Sequence, residues 1–310
     1  MKNREIKILT PKDKQYPKNL LKIKSYPQKL YILGNTDLLN KDSIAIVGSR
    51  NCTAYGKQYS FKFARELGES NLCVISGLAK GIDTYAHIGA VETIGNTIAV
   101  LGSGLNNIYP KENTELFNKI LDNGGCIISE YESNTEAKSS NFPKRNRIIS
   151  GISLATLVIE AKHRSGSTIT ARRALEQNKK VFCLPRNLGE KYGVGTNNLL
   201  KNGAELITCT NDILEKLNIE KTNKKISIEQ VNKLLEKKEE NKEKQKNIPK
   251  EYRKIYTILK EPLNINDISR KTDLSIQKTN EILTIMEIEG YIKKIKSNEY
   301  ISIWKRRKYV

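Results

Sequence analysis

Seven short apolar runs follow one another through the first two thirds of the chain: IAIVG (44–48), CVISG (73–77), TIAVLG (97–102), CIIS (126–129), ATLVIEA (155–161), VFCLP (181–185) and ELIT (205–208). Each is apolar continuously, not at alternate positions, which is the signature of strands covered on both faces. Most are followed by glycine or proline and then by a stretch with helical spacing. The pattern predicts helices near 56–68, 82–93, 112–123, 146–153 and 168–178. Strands and helices in alternation give an α/β layer built on a doubly wound, mostly parallel sheet. Ligands of such sheets bind beyond the carboxyl ends of the strands, so the informative residues are those just after each run.

Beyond residue 211 the pattern changes. Residues 212–249 mix Lys and Glu, with no proline until Pro249 and no glycine, and read as a linker. Residues 250–310 fit a small winged-helix domain. It has helices near 251–259, 266–271 and 276–289, then the alternating strands YIKKIKS and YISIW. A helix-turn-helix of this kind places its last helix in a DNA major groove. That helix ends acidic here, so protein contact or dimer support is ranked ahead of duplex DNA. Residues 1–40 form an N-terminal lead-in, and 41–211 form the main domain.

Charge narrows the partners. Lys and Arg number 54 against 34 Asp and Glu, a formal charge of +20, which favours a polyanion and nucleic acid ahead of a membrane surface. No apolar run reaches the roughly 18–20 residues that span a bilayer, and the basic N-terminus lacks the apolar core of a secretory signal. A soluble cytoplasmic protein with no membrane partner is expected. The five cysteines form no CxxC and are accompanied by two histidines, so neither a disulfide framework nor a metal site is expected.

The first run ends in Gly48-Ser49-Arg50 ahead of a helix. Free helix-start amides and a guanidinium fork together make a phosphate site. It is no dinucleotide fingerprint, because the second strand ends in Ser76-Gly77 where a ribose-binding acid belongs, and no P-loop motif occurs. No cofactor is therefore expected. After the fourth run come Phe142, Lys144, Arg145, Asn146 and Arg147, three cations beside an aromatic that offers a stacking face to an unpaired base. After the fifth come Ser165, Gly166, Ser167 and Thr168, a hydroxyl-rich helix start. If the strand order brings these ends together, they form one basic crevice suited to a phosphodiester backbone. Catalysis is poorly supported. His87 and His163 have no carboxylate at a useful spacing, Asp83 reads as helix-dipole support, and Glu160 reads as the neutraliser of Arg145 or Arg147.

The segments IAIVGSR (44–50), VISGLAKGIDTYAH (74–87), VLGSGLNNIYPKEN (100–113), IISE (127–130), FPKRNRIISGIS (142–153), VIEAKHRSGSTITARRALE (158–176) and GTNNLLKNGA (195–204) resemble, in order and spacing, the DNA-processing protein A family (DprA, also called Smf). The resemblance implies a Rossmann-like core that binds single-stranded DNA without cutting it. It also implies a homodimer that loads a RecA-type recombinase during natural transformation and displaces single-strand binding protein. It assigns the phosphate pocket to Arg50 and maps the FPxRNR segment onto Phe142, Pro143, Arg145, Asn146 and Arg147. The chain departs from the family at Asn106, at Tyr131-Glu132-Ser133 and at Arg186-Asn187, which stands where a Pro-Gly step is usual. Two other readings stay open. One is a nucleotide N-glycosidase-type enzyme using Glu160, although its Pro-Gly-Gly-x-Gly-Thr loop is missing. The other is a regulator that binds duplex DNA through the winged helix.

Overall fold

The computed structural model describes residues 5–219 except 164, and residues 249–302 except 260, 289–290 and 297–298. The chain divides into two compact units, Met1–Asn223 and Lys224–Val310.

The first unit is built on a nine-stranded sheet. In chain order its elements are β1 (Lys7–Leu9), β2 (Leu30–Gly34), β3 (Ser43–Val47), α1 (Ala54–Glu69), β4 (Cys73–Ser76), α2 (Ile82–Ala90), β5 (Thr97–Leu101), α3 (Thr114–Asp122) and β6 (Cys126–Ser129). There follow α4 (Asn141–Ile152), β7 (Ala155–Val158), α5 (Gly166–Glu176), β8 (Lys180–Cys183), α6 (Val194–Lys201), β9 (Glu205–Leu206) and α7 (Thr210–Lys216). The strand order is β1-β2-β6-β5-β4-β3-β7-β8-β9. All seven apolar runs are strands in this sheet and pair in parallel, while β1 and β2 add an antiparallel edge.

Burial on both faces explains the unbroken apolar runs. In β3, Ala45 and Val47 join one core cluster with Ile148, Ile149 and Ile152 of α4 and Ala171 and Ala174 of α5. Ile44 and Ile46 point the other way, into a cluster with Phe63 and Leu67 of α1 and Ala86 of α2. Truncating a side chain such as Ile46 to Ala in a core of this kind costs about 2–5 kcal/mol.

Three boundaries differ from the sequence reading. The lead-in is not a separate segment. Its β2 pairs with β6, Tyr16 donates to the Pro27 carbonyl at 2.6 Å, and Leu20 and Ile23 pack against Gly151 at the end of α4. The main domain also runs past 211, since α7 buries Ile213 and Leu214 in the core. Helix α4 starts at Asn141 rather than 146, because Pro143 lies in its first turn, where the missing N–H costs nothing. Most of the expected linker, residues 220–248, lies outside the described residues.

The second unit contains α8 (Lys250–Ile258), β10 (Leu263–Asn264), α9 (Ile265–Thr272), α10 (Ile276–Ile288), β11 (Ile292–Lys296) and β12 (Glu299–Ser302). Its antiparallel sheet has the order β10-β12-β11. Tyr252, Ile255, Leu259, Ile268, Leu283, Met286, Ile292 and Tyr300 form its own core. Among the described helices none is long and apolar enough to cross a membrane.

Candidate nucleic-acid interface

The sheet reverses its winding between β3 and β7. From β3 the chain proceeds outward through β4, β5 and β6, and then returns to place β7 on the other side of β3. Helices that leave neighbouring strands in opposite directions open a crevice at such a switch point. A cleft of about 710 Å³ lies there. Of the residues expected from the sequence, Gly48, Ser49, Arg50, Phe142, Arg145, Asn146, Ser165, Gly166 and Ser167 line it together. Lys144 is exposed on α4 but does not line the cleft. Arg147 turns away to pair with Glu130 at 2.5 Å, and Thr168 is spent on the Ser165 carbonyl at 2.7 Å.

The turn after β3 is clamped from both sides. Two glycines allow α2 to start against it. A Cβ on Gly48 would lie 2.4 Å from Ile82 Cγ1, and Gly81, at φ +78°, would place one 2.3 Å from the Ser49 carbonyl. Ile82 N–H donates to that carbonyl at 3.2 Å. From the β7 side, Ser49 N–H donates to the Glu160 carbonyl at 2.9 Å. The Glu160 carboxylate accepts from Thr53 N–H at 3.0 Å and from the Thr53 hydroxyl at 2.5 Å, while Thr53 Oγ1 caps α1 by accepting from Gly56 N–H at 3.2 Å. Arg50, between these anchors, is exposed, has no acidic partner among the described residues, and holds its guanidinium carbon 5.2 Å from the Phe142 ring centroid.

Glu160 does not neutralise Arg145 or Arg147, as the sequence suggested. It is fully buried, and its cation is Arg186, at 3.0 Å in an ion pair too bent for a hydrogen bond. The strand order is the reason: β8 flanks β7, so the residue just past β8 reaches the residue just past β7. Arg186 also pairs with Glu190 and lies 4.2 Å over the Tyr55 ring.

Arg145, 4% exposed, is the floor of the cleft rather than a free hand. Its Nη1 donates to the carbonyls of Gly77, at 2.8 Å, and Val100. Burial holds its pKa down to about 10, against the pull of nearby Asp83 and with the repulsion of Arg50. Asp83 accepts from Gly77 N–H at 3.1 Å and Ala79 N–H at 3.3 Å, and its burial raises its pKa despite Arg145. His87 is a core residue. Nε2 accepts from Leu78 N–H at 3.3 Å, so Nδ1 carries the proton toward Thr97 Oγ1 at 2.8 Å, and burial drives its pKa down to about 3.

The third wall is the start of α5. Ser165 is its N-cap residue in extended backbone, its hydroxyl 2.7 Å from that of Ser167, and Asn146 Nδ2 donates to the Gly166 carbonyl at 3.3 Å, tying α4 to α5. First-turn amides of a helix lack internal partners and carry the positive end of the helix dipole, which suits an anion. On the far side Lys179 Nζ donates to the carbonyls of Ser150, Gly151 and Ser153, fixing the other end of α4. Sequence reasoning missed Lys162 and Tyr109, both in the lining. Lys162 was within reach of the strand-end rule, two residues beyond Glu160. Tyr109 lies eight residues past β5, in a loop that returns to the cleft.

The family model for DNA recombination-mediator protein A matches residues 7–218. Protein Smf of Escherichia coli (strain K12) is 43% identical over 210 residues, covering 67% of this chain and 56% of that protein. DNA processing protein DprA of Streptococcus pneumoniae is 42% identical over 202 residues, covering 65% of this chain and 71% of that protein. The chain thus spans little more than half the length of the first of these relatives. Among solved structures, the X-ray structure of DNA processing protein A from Streptococcus pneumoniae aligns with a TM-score of 0.65 and 39% identity over 68% of this chain and 74% of that one. DNA processing protein A from Helicobacter pylori, solved for its single-stranded DNA binding mode, aligns with a TM-score of 0.63 and 33% identity over 69% and 96%.

Proposed function

This chain belongs to the DNA recombination-mediator protein A family, and from that premise we propose that its first unit binds single-stranded DNA by the phosphate backbone in the switch-point crevice. The observation that carries the reading is Arg50. It is exposed, free of any acidic partner among the described residues, and set beside the α5 start in a turn that both flanking elements hold in place. Arg50 is the first phosphate ligand. The α5 start with Ser165, Gly166 and Ser167, and Asn146, Lys162 and the outer Lys144, continue the track. Arg145 forms the floor, Arg147 is turned away to Glu130, and Phe142 orients Arg50.

The enzyme reading loses its residue. Glu160 does not line the cleft and has both oxygens engaged, which supports a binding protein over an N-glycosidase. The second unit we read as a winged helix for protein contact. From the family likeness we extend the role to a cytoplasmic homodimer that delivers single strands to a RecA-type recombinase in competition with single-strand binding protein.

The test is binding of an oligothymidylate and of a duplex of equal length, each at two salt concentrations. Single-strand binding should be preferred and should fall steeply with salt, and Arg50→Ala should weaken it about tenfold or more while flattening the salt slope by about 0.7. Equal affinity and slope for Arg50→Ala and wild type would remove the central residue of the reading. Free base released from nucleotides, and lost in Glu160→Gln, would restore the enzyme.

A further inference from the structure

Two aromatic rings among the described residues line the crevice, and Tyr109 is the more exposed of them. Phe142 is half-buried and packed on three sides. The Arg50 guanidinium lies over its ring. Tyr109 meets it with centroids 5.4 Å apart and planes tilted by 36°. Gly102 approaches it so closely that a Cβ there would lie 2.7 Å from Phe142 Cδ1. Tyr109, by contrast, is 47% exposed although it lines the same cleft. An aromatic ring held half in water beside a phosphate-binding arginine is placed as the base-stacking platforms of single-strand binding proteins are placed, next to the cationic track and open on one face.

We propose that Tyr109 is the residue that stacks an unpaired base of the strand whose phosphate Arg50 holds, with Phe142 as the spacer that sets the distance between the two contacts. The proposal rests on the single-strand reading above and deepens it. Phosphate contacts alone do not distinguish a single strand from a duplex, since both present phosphates. A stacking contact does, because a base within a duplex already has both faces covered by its neighbours. Tyr109 therefore confers the preference for unpaired DNA while remaining indifferent to base identity, since every base has a π face.

The experiment compares the full chain binding an oligothymidylate and an abasic phosphodiester of the same length. Wild type should favour the oligothymidylate by about tenfold, the effect expected for one stacked base. Tyr109→Ala should bring that ratio close to one without changing the salt slope, and Tyr109→Phe should keep it. Because Tyr109→Ala can disturb its loop, a second variant reads the contact directly. In a background where the single tryptophan is removed by Trp304→Phe, the emission of Tyr109→Trp should be quenched by oligothymidylate and not by the abasic strand. A wild-type ratio retained in Tyr109→Ala, or identical emission with both strands, overturns the proposal. The Arg50→Ala variant separates the two readings. If it weakens both strands equally while Tyr109→Ala changes nothing, the phosphate site stands and the stacking role falls. If wild type binds neither strand, both fall.

Discussion

Arg50 and Arg145 line the same cleft, and burial assigns them opposite duties. Arg50 is exposed and uncommitted, while Arg145 spends its donors on the carbonyls of Gly77 and Val100 above a buried Asp83. Removing a buried cation strands its partners, at a cost of about 3–5 kcal/mol. Arg145→Ala should therefore lower the midpoint of urea unfolding substantially, whereas Arg50→Ala should leave it unchanged. Unfolding curves of the two variants side by side decide the matter. His87 sets a pH dependence of its own. Its folded pKa is down at about 3 from an ordinary 6.5, so between those values the unfolded chain takes up a proton that the folded chain refuses. Stability supplied by the neutral ring is present above pH 6.5 and is lost as pH falls toward 3. Asp83, raised by burial, works in the other direction, so the comparison needs a variant. The stability of His87→Gln measured from pH 7 to pH 4 should fall less than that of wild type, and parallel curves would refute this account.

The connection between Glu160 and Arg186 joins three elements: β7 and β8 through the two residues, and α1 through Thr53. Arg186→Ala should destabilise the chain by about 3–5 kcal/mol through the uncompensated Glu160. Adding Glu160→Gln should recover a large part of the loss, as measured in a denaturant double-mutant cycle. Elements differ in how openly they were written in the sequence. The strands from β3 to β7 were legible because burial on two faces keeps their runs predominantly apolar. β2 was missed, lying in a short polar-flanked stretch whose partner, β6, comes some ninety residues later. Helix α4 begins five residues before the expected 146, because Pro143 fits within its first turn. The strand-end rule pointed to Arg50 and the α5 start, which line the cleft and are local to their strands. It could not find Arg186 as the partner of Glu160, because that pairing exists only once β8 is known to flank β7. Tyr109 was hidden for a similar reason, in a loop whose return to the cleft no local pattern records.

At the scale of the molecule, the first unit carries its own core, the crevice and the lead-in that buttresses α4, and the second unit has a core of its own. A fragment of residues 1–219 should fold and retain single-strand binding. A fragment ending at 210 should be less stable, since it loses Ile213 and Leu214 of α7; circular dichroism melts and DNA titration of both fragments check this. The fixed floor of the cleft also has a consequence in time. Because Arg145 is already satisfied by two carbonyls, and the backbone of the turn bearing Arg50 is already clamped, the floor and this turn need not rearrange before a strand can enter. Capture should then be a single encounter, its observed rate rising in proportion to concentration without a plateau. Long-range attraction by the chain's +20 charge should accelerate it, so that added salt slows arrival. How long a strand stays is left to contacts made after arrival.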